Sequence, residues 1–246
     1  MRPALQAFDL KMTDNKDVNG SEITSPEPAE TQDDERMCVV PPNVIKRLPR
    51  YYRYLRALLA DDVRRVSSHE LANFMNLTAS QIRQDFSRFG GFGQQGYGYN
   101  VKYLYMKISE LLGVSSGLKA VIVGAGNLGS ALAHSRLFER RGIRLCALFD
   151  NDSRKFGKFD SNLDILSVDT LEAYITENKI DIAVMTMPSE AAESIARRLV
   201  SCGIGGLWNF TNTELHRETK GTALENVHLG DSLMTLCYNI TNKNGK

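Results

Sequence analysis

Gly124-Ala125-Gly126-Asn127-Leu128-Gly129 follows the apolar run Leu118–Val123 and opens a stretch of helical periodicity. A lone G-x-G-x-x-G is weak evidence, but a strand before it and a helix after it are the context that the motif requires. The first glycine permits a tight turn, the second lets backbone N–H groups approach a pyrophosphate at the positive helix end, and the third allows close packing on a sheet. Gly124, Ala125, Gly126, Asn127, Leu128 and Gly129 are therefore expected to hold a dinucleotide. Asp150 ends the next apolar run, about 20 residues on, where a carboxylate accepts from the adenine ribose hydroxyls and repels a 2′-phosphate. That favours NAD+ and NADH over their phosphorylated forms, a preference that neighbouring Arg154 and Lys155 soften.

Outward from this motif, apolar runs at Leu118–Val123, Ile143–Phe149, Ile180–Met185 and Gly206–Phe210 alternate with helical stretches at Asn127–Arg140, Thr170–Glu177 and Glu190–Cys202, the last capped by Ser189. That rhythm implies an α/β fold with a parallel, Rossmann-like sheet over residues 117–229. Leu229, Leu233, Leu236, Cys237 and Ile240 then form an apolar helical stripe at the C-terminus, where residues 230–246 are set apart as a terminal helix, and such a stripe needs a surface to cover.

Upstream the chain changes character. Residues 11–38 carry eight acidic against three basic side chains, and residues 1–38 lack apolar periodicity, so an acidic disordered tail is expected. From Pro41 to Asn100 the balance inverts to nine basic against four acidic, the footprint of an anionic partner. Ile45, Leu48, Tyr52, Leu55 and Leu59 share a helix face, with Pro49 either kinking it or marking its first turn. Ser67–Glu70 and Thr78–Gln81 have capping-box spacing and open two short helices, a helix-turn-helix, with Ile82, Phe86 and Phe89 pointing inward on the second. Its other face offers Ser80, Gln81, Arg83, Gln84, Ser87 and Arg88 for base edges in a major groove. Gly90–Tyr99 reads as a glycine-punctuated hairpin, the wing, bringing Gln94, Gln95 and Tyr97 to DNA. Lys46, Arg47, Arg50, Arg53 and Ser67 are expected at the DNA as well, Arg50 and Arg53 on phosphates. This module spans residues 39–116 and ends at Ser115-Ser116-Gly117.

Several function classes recede. No run reaches the ~20 apolar residues of a membrane span, and no signal sequence is visible, so a cytoplasmic protein with no membrane partner is expected. The four cysteines have no metal-ligand spacing and read as reduced thiols. Tyr103 and Lys107 match the Tyr-x-x-x-Lys pair of short-chain dehydrogenases but precede the glycine motif, and His69, His134, His216 and His228 make no catalytic dyad. An NAD-dependent oxidoreductase with an accessory basic domain stays as the runner-up to a dinucleotide-controlled repressor without catalysis.

Ile45–Leu55, Ile82–Gly90, Gly96–Val101 and the glycine motif together resemble the redox-sensing transcriptional repressor family called Rex, over about Pro41 to Cys237. The resemblance implies a homodimer whose N-terminal domains bind an A/T-rich inverted repeat, whose Rossmann domains sense NADH against NAD+, and whose C-terminal helix, here about Gly230 to Asn239, swaps onto the partner subunit. Met187, Pro188, Asn209 and Phe210 would lie near the nicotinamide. The chain departs from the pattern at Gln95, where the wing commonly has a basic residue, and at Arg88, commonly Tyr. Thr211-Asn212 replaces Ala-Pro. Ser135 and His228 stand where the family's switch has Tyr and Asp.

Overall fold

In this computed structural model, residues 40–242 are described except 89, 91, 92, 95, 96, 115, 161 and 217–220, with backbone alone at Gly93 and Gln94. The acidic tail, the inward pointing of Phe89, and the expectations for Ser115, Gln95 and the Gln94 side chain lie outside the described residues.

The N-terminal part begins with α1 (Pro42–Ile45) and α2 (Leu48–Ala60). Pro49 sits in the first turn of α2, where its missing N–H costs nothing, so the run divides into two helices rather than one kinked helix. The break at Lys46 and Arg47 also rotates the buried face. Val44, Leu48, Tyr51 and Leu55 are buried, whereas Ile45 is 47% exposed, against the expected stripe. Next come β1 (Arg65–Val66), α3 (Ser68–Met75) and α4 (Ala79–Ser87). Both capping boxes form: Ser67 and Thr78 accept from the backbone N–H three residues on, and Glu70 and Gln81 reach back. Asn76 makes the turn between them in the left-handed region.

After α4, β2 (Gly93–Gln94) and β3 (Gly98–Asn100) pair antiparallel, and β1 adds a third strand on the far side of β3, one too short to be read from the sequence. Gly98 has φ +68°, and a Cβ there would meet the Val66 carbonyl oxygen at 2.8 Å, so glycine is required at this close approach. The helix α5 (Val101–Leu111), capped by Asn100, closes the core formed by Tyr51, Leu55, Leu71, Ile82, Phe86, Leu104 and Ile108.

The second part is built on β4 (Lys119–Val123), β5 (Arg144–Asp150), β6 (Gly157–Lys158), β7 (Asp164–Ser167), β8 (Ile182–Met185), β9 (Gly206–Asn209) and β10 (Ala223–Asn226), with α6 (Asn127–His134), α7 (Leu171–Asn178) and α8 (Ser189–Ser201) between them. The strand order is β10-β9-β8-β4-β5-β7-β6, parallel except for the β6–β7 edge. Along the parallel strands this is the complete order 3-2-1-4-5-6, with its switch between β4 and β8. Central β4 is buried on both faces: Val121 and Val123 pack with Phe149, Met185 and Leu199, while Ala120 and Ile122 pack with Leu148 and Val184. A strand covered on both sides reads as an unbroken apolar run, which is why the sequence exposed it.

Two helix ends depart from expectation. α6 stops at His134 rather than Arg140, because the Ser135 hydroxyl donates to the Leu132 carbonyl and accepts from the Leu137 N–H, turning the chain out of the helix. Ser189 is the first residue of α8, and Pro188 occupies the cap position. The last helix, α9 (Leu229–Thr241), buries no residue within this chain.

Candidate dinucleotide crevice and nucleic-acid interface

Two of the three glycines of the β4–α6 turn are demanded by a close approach. A Cβ on Gly124, at φ +108°, would lie 2.7 Å from the Met187 nitrogen, and one on Gly129 would lie 2.0 Å from the Gly124 carbonyl oxygen. At Gly126 a Cβ meets nothing within 4 Å. That position instead borders a cavity of about 470 Å³ at the carboxyl ends of β4, β5 and β8, with Gly124, Asp150, Lys155, Thr186, Met187 and Pro188 on its walls. This is the switch-point crevice where open α/β sheets bind ligands. Asn127 and Leu128 begin α6, so their N–H groups lack intrahelical partners and carry the positive helix end.

Asp150 is 7% exposed and heavily committed. Its Oδ2 accepts from the Ala125 N–H at 2.9 Å and from Lys155 Nζ at 2.8 Å, and its Oδ1 accepts from the Asp152 N–H at 2.9 Å. Burial opposes its ionisation, yet these hydrogen bonds win and hold the carboxyl below its ordinary value. Asp150 thus pins the glycine turn as well as facing the crevice. The expectation for Ala125 needs correcting, since its N–H is spent on Asp150 and is not free for a phosphate. Arg154 turns away to pair with Asp152, leaving Lys155 as the cation at this wall.

Asn209 is also corrected. It is fully buried, its Nδ2 donates to the Thr213 carbonyl and to Asn226 Oδ1, and its Oδ1 accepts from the Thr211 N–H and hydroxyl. All four hydrogen-bonding positions are used within the chain, so Asn209 shapes the loop after β9 rather than touching a ligand. Phe210 packs edge-on against Trp208 at 4.6 Å, with its N–H on the Met185 carbonyl. Thr186 went unrecognised in the sequence. Its hydroxyl donates to the Gly124 carbonyl at 2.8 Å, bracing the turn from β8, and its position just after an apolar strand was the available signal.

On the other module, α4 turns Ile82, Asp85 and Phe86 inward and leaves Ser80, Gln81, Arg83, Gln84, Ser87 and Arg88 exposed on one face. Gln81 has its Oε1 committed to the Thr78 N–H, and Arg83 reaches the Ser68 hydroxyl at 3.3 Å. Ser67 serves as a helix cap, and Lys46 is exposed at the α1–α2 junction. Tyr97 is 69% exposed beside Arg65, which donates to its carbonyl and lies 5.8 Å from its ring.

Arg47 requires correction as a DNA contact. Its guanidinium grips Asp85 through Nε at 2.7 Å and Nη2 at 2.5 Å, while Tyr51 donates to the same carboxylate at 2.7 Å. Asp85, 3% exposed, therefore clamps the back of α4 onto α2. The carboxylate raises the Arg47 pKa against the opposing cost of burial, and burial with the hydrogen bond to Asp85 pushes up the Tyr51 phenol. The two arginines of α2 expected on phosphates diverge: Arg50 donates to the Met75 carbonyl at the end of α3, whereas Arg53 lines a cavity shared with Arg56, Arg140 and Arg141.

The short-chain dehydrogenase pair is excluded by placement, because Tyr103 and Lys107 belong to α5, in the other module from the glycine turn. Among the described residues no cluster of three or more His, Cys, Asp or Glu suits a metal, and no helix is long and apolar enough to cross a membrane.

Two family models match the chain: a putative DNA-binding protein N-terminus over residues 39–87 and a CoA binding domain over residues 115–213. Redox-sensing transcriptional repressors Rex are similar along most of the chain. The one from Caldicellulosiruptor saccharolyticus is 48% identical over 81% of this chain and 91% of its own length, and the one from Clostridioides difficile is 49% identical over 79% and 92%. Among solved structures, a Rex-family repressor named RSP, in complex with NAD+ and operator DNA, superposes with a TM-score of 0.79 at 47% identity, covering 84% of this chain and 94% of that one. RSP in complex with NADH gives 0.77 at 44% identity, covering 84% and 96%.

Proposed function

The chain belongs to the Rex family of redox-sensing transcriptional repressors, and from that premise we propose how its own residues carry out the task. It binds operator DNA through the exposed face of α4 and is released by NADH, reporting the NADH/NAD+ ratio without catalysing a reaction. The observation that carries this reading is the pairing in one chain of a helix, capped at its N-terminus, that exposes Arg83 and Arg88 on one face with an open crevice at a Rossmann switch point. The protein works in the cytoplasm on an A/T-rich inverted repeat.

Only a ligand that binds two states unequally shifts them, and the two redox forms differ in nicotinamide charge and ring shape alone. The discriminating contacts therefore belong beside Met187, Pro188 and Phe210 and on α9. Ser135 is bound up in the turn after α6, and His228 opens α9 without capping it, so transmission runs through other groups than the family's Tyr and Asp. Fluorescence anisotropy on an operator duplex tests the reading. Dissociation by NADH with little effect of NAD+ is expected, and identical effects of the two would reduce the protein to a plain nucleotide sensor.

Lys155 sets the cofactor preference. It lies 2.8 Å from Asp150 and offsets the charge that repels a 2′-phosphate. Lys155→Ala should widen the preference for NADH over NADPH about tenfold, roughly 1.4 kcal/mol, in calorimetric titrations. An unchanged ratio would remove it from the selectivity.

The dimer rests on α9. Leu229, Leu233, Met234, Leu236, Tyr238 and Ile240 are all more than half exposed, an apolar surface that water does not tolerate on an isolated chain. Exchange of α9 between subunits covers it. Leu233→Asp with Leu236→Asp should yield a monomer by sedimentation and lose tight operator binding, since two half-sites need two linked reading heads. A dimeric variant would place the interface elsewhere.

A further inference from the structure

Between the two modules lies a second cavity, of about 340 Å³, that the dinucleotide reading does not use. One wall is α2, which presents Tyr52, Arg53 and Arg56, and the opposite wall is the short 3-10 turn that brings Arg140 and Arg141. The chain is held close here, since a Cβ on Gly142 would lie 2.2 Å from the Val114 carbonyl oxygen. Among the described residues none of the four guanidinium groups has an ion pair or hydrogen bond, although arginines elsewhere in the fold meet Asp85, Glu139, Asp152 and Glu172. Tyr52 registers the convergence independently. Burial and the hydrogen bond donated by Tyr105 push its phenol above the ordinary value, and the fields of Arg56 and Arg141, from opposite walls, both pull it down.

We propose that this cavity binds a compact polyphosphate anion and that the bound anion bridges the DNA-binding and dinucleotide-binding modules. Four uncompensated guanidiniums around a concave site repel one another until an anion enters, and the planar N–H fork of arginine matches phosphate oxygens in pairs. A chain of linked phosphates presents oxygens to both walls and carries enough charge to meet several guanidiniums at once. Tyr52 adds a hydroxyl on the same side. Because α2 also carries α4 through the Arg47–Asp85 clamp, an anion held here acts on the reading helix without entering the NADH crevice.

The test is calorimetric titration of the full chain with inorganic tripolyphosphate at constant ionic strength. Saturable binding of one tripolyphosphate per chain is expected, with sodium sulfate at matched ionic strength giving none. The double variant Arg56→Ala, Arg141→Ala should bind at least tenfold more weakly while its NADH affinity is unchanged, so that failure here is distinguishable from failure of the cofactor reading. Arg56→Lys with Arg141→Lys should recover part of the affinity, which separates lost charge from a folding defect. Equal tripolyphosphate affinity in wild type and double Ala variant would overturn the proposal. So would binding seen only after deletion of residues 1–38, which would make that acidic segment the occupant.

Discussion

Asp85→Ala should unfold the N-terminal module at markedly lower denaturant, by about 3 kcal/mol, and abolish operator binding while NADH still binds. Removing one member of a buried ion pair strands the other, at a typical cost of about 3–5 kcal/mol, and the lower end applies because the Arg47 side chain is still 25% exposed. The Tyr51 hydroxyl loses its acceptor at the same time, in a core where its ring packs edge-on against Phe86 at 5.1 Å. Urea unfolding followed by near-ultraviolet circular dichroism reads the loss, and a change under about 1 kcal/mol would show that α4 is held by apolar packing alone. Arg83→Ala is the contrasting variant. Arg83 is exposed, so stability should hold while base discrimination falls by about 1–3 kcal/mol.

Gly129→Ala should eliminate measurable NADH binding and destabilise the second module. The added Cβ would sit 2.0 Å from the Gly124 carbonyl oxygen and 2.8 Å from the Thr186 hydroxyl, both of which are backbone or braced, so the turn itself must move. Forcing extra atoms into a close-packed site costs about 1–3 kcal/mol in stability, and misplacing the turn breaks the Ala125–Asp150 hydrogen bond that aims it. Gly126→Ala separates the two effects. Its Cβ meets nothing within 4 Å and projects beside the crevice, so the variant should fold with wild-type stability yet bind NADH about a hundredfold more weakly, roughly 2.7 kcal/mol. Scanning calorimetry with and without NADH distinguishes them, and a Gly129→Ala protein with normal affinity would mean that the pyrophosphate does not use this turn.

What the sequence determined by itself was local. The glycine spacing, the two capping boxes, the buried central strand and the exposed face of α4 each depend on residues within one or two turns of each other, or on a periodicity that a single element imposes. Pro49 divided the first helix for an equally local reason, but which side chains then faced the core depended on the phase of two helices, not one. The long-range pairings were invisible. Arg47 reads as a free cation until Asp85, 38 positions away, is packed against it. Asn209 reads as a ligand contact until Thr211, Thr213 and Asn226 consume its hydrogen bonds. Charge patterning counted Arg53 and Arg56 with the basic module and took no notice of Arg140 and Arg141, because only the docking of α2 against the turn at Arg140 brings the four together around one cavity. An apolar or charged residue states in sequence what it needs. Tertiary packing decides whether a neighbour distant in the chain supplies it, as for Asp85, or whether, as for the stripe on α9, it must come from outside the chain.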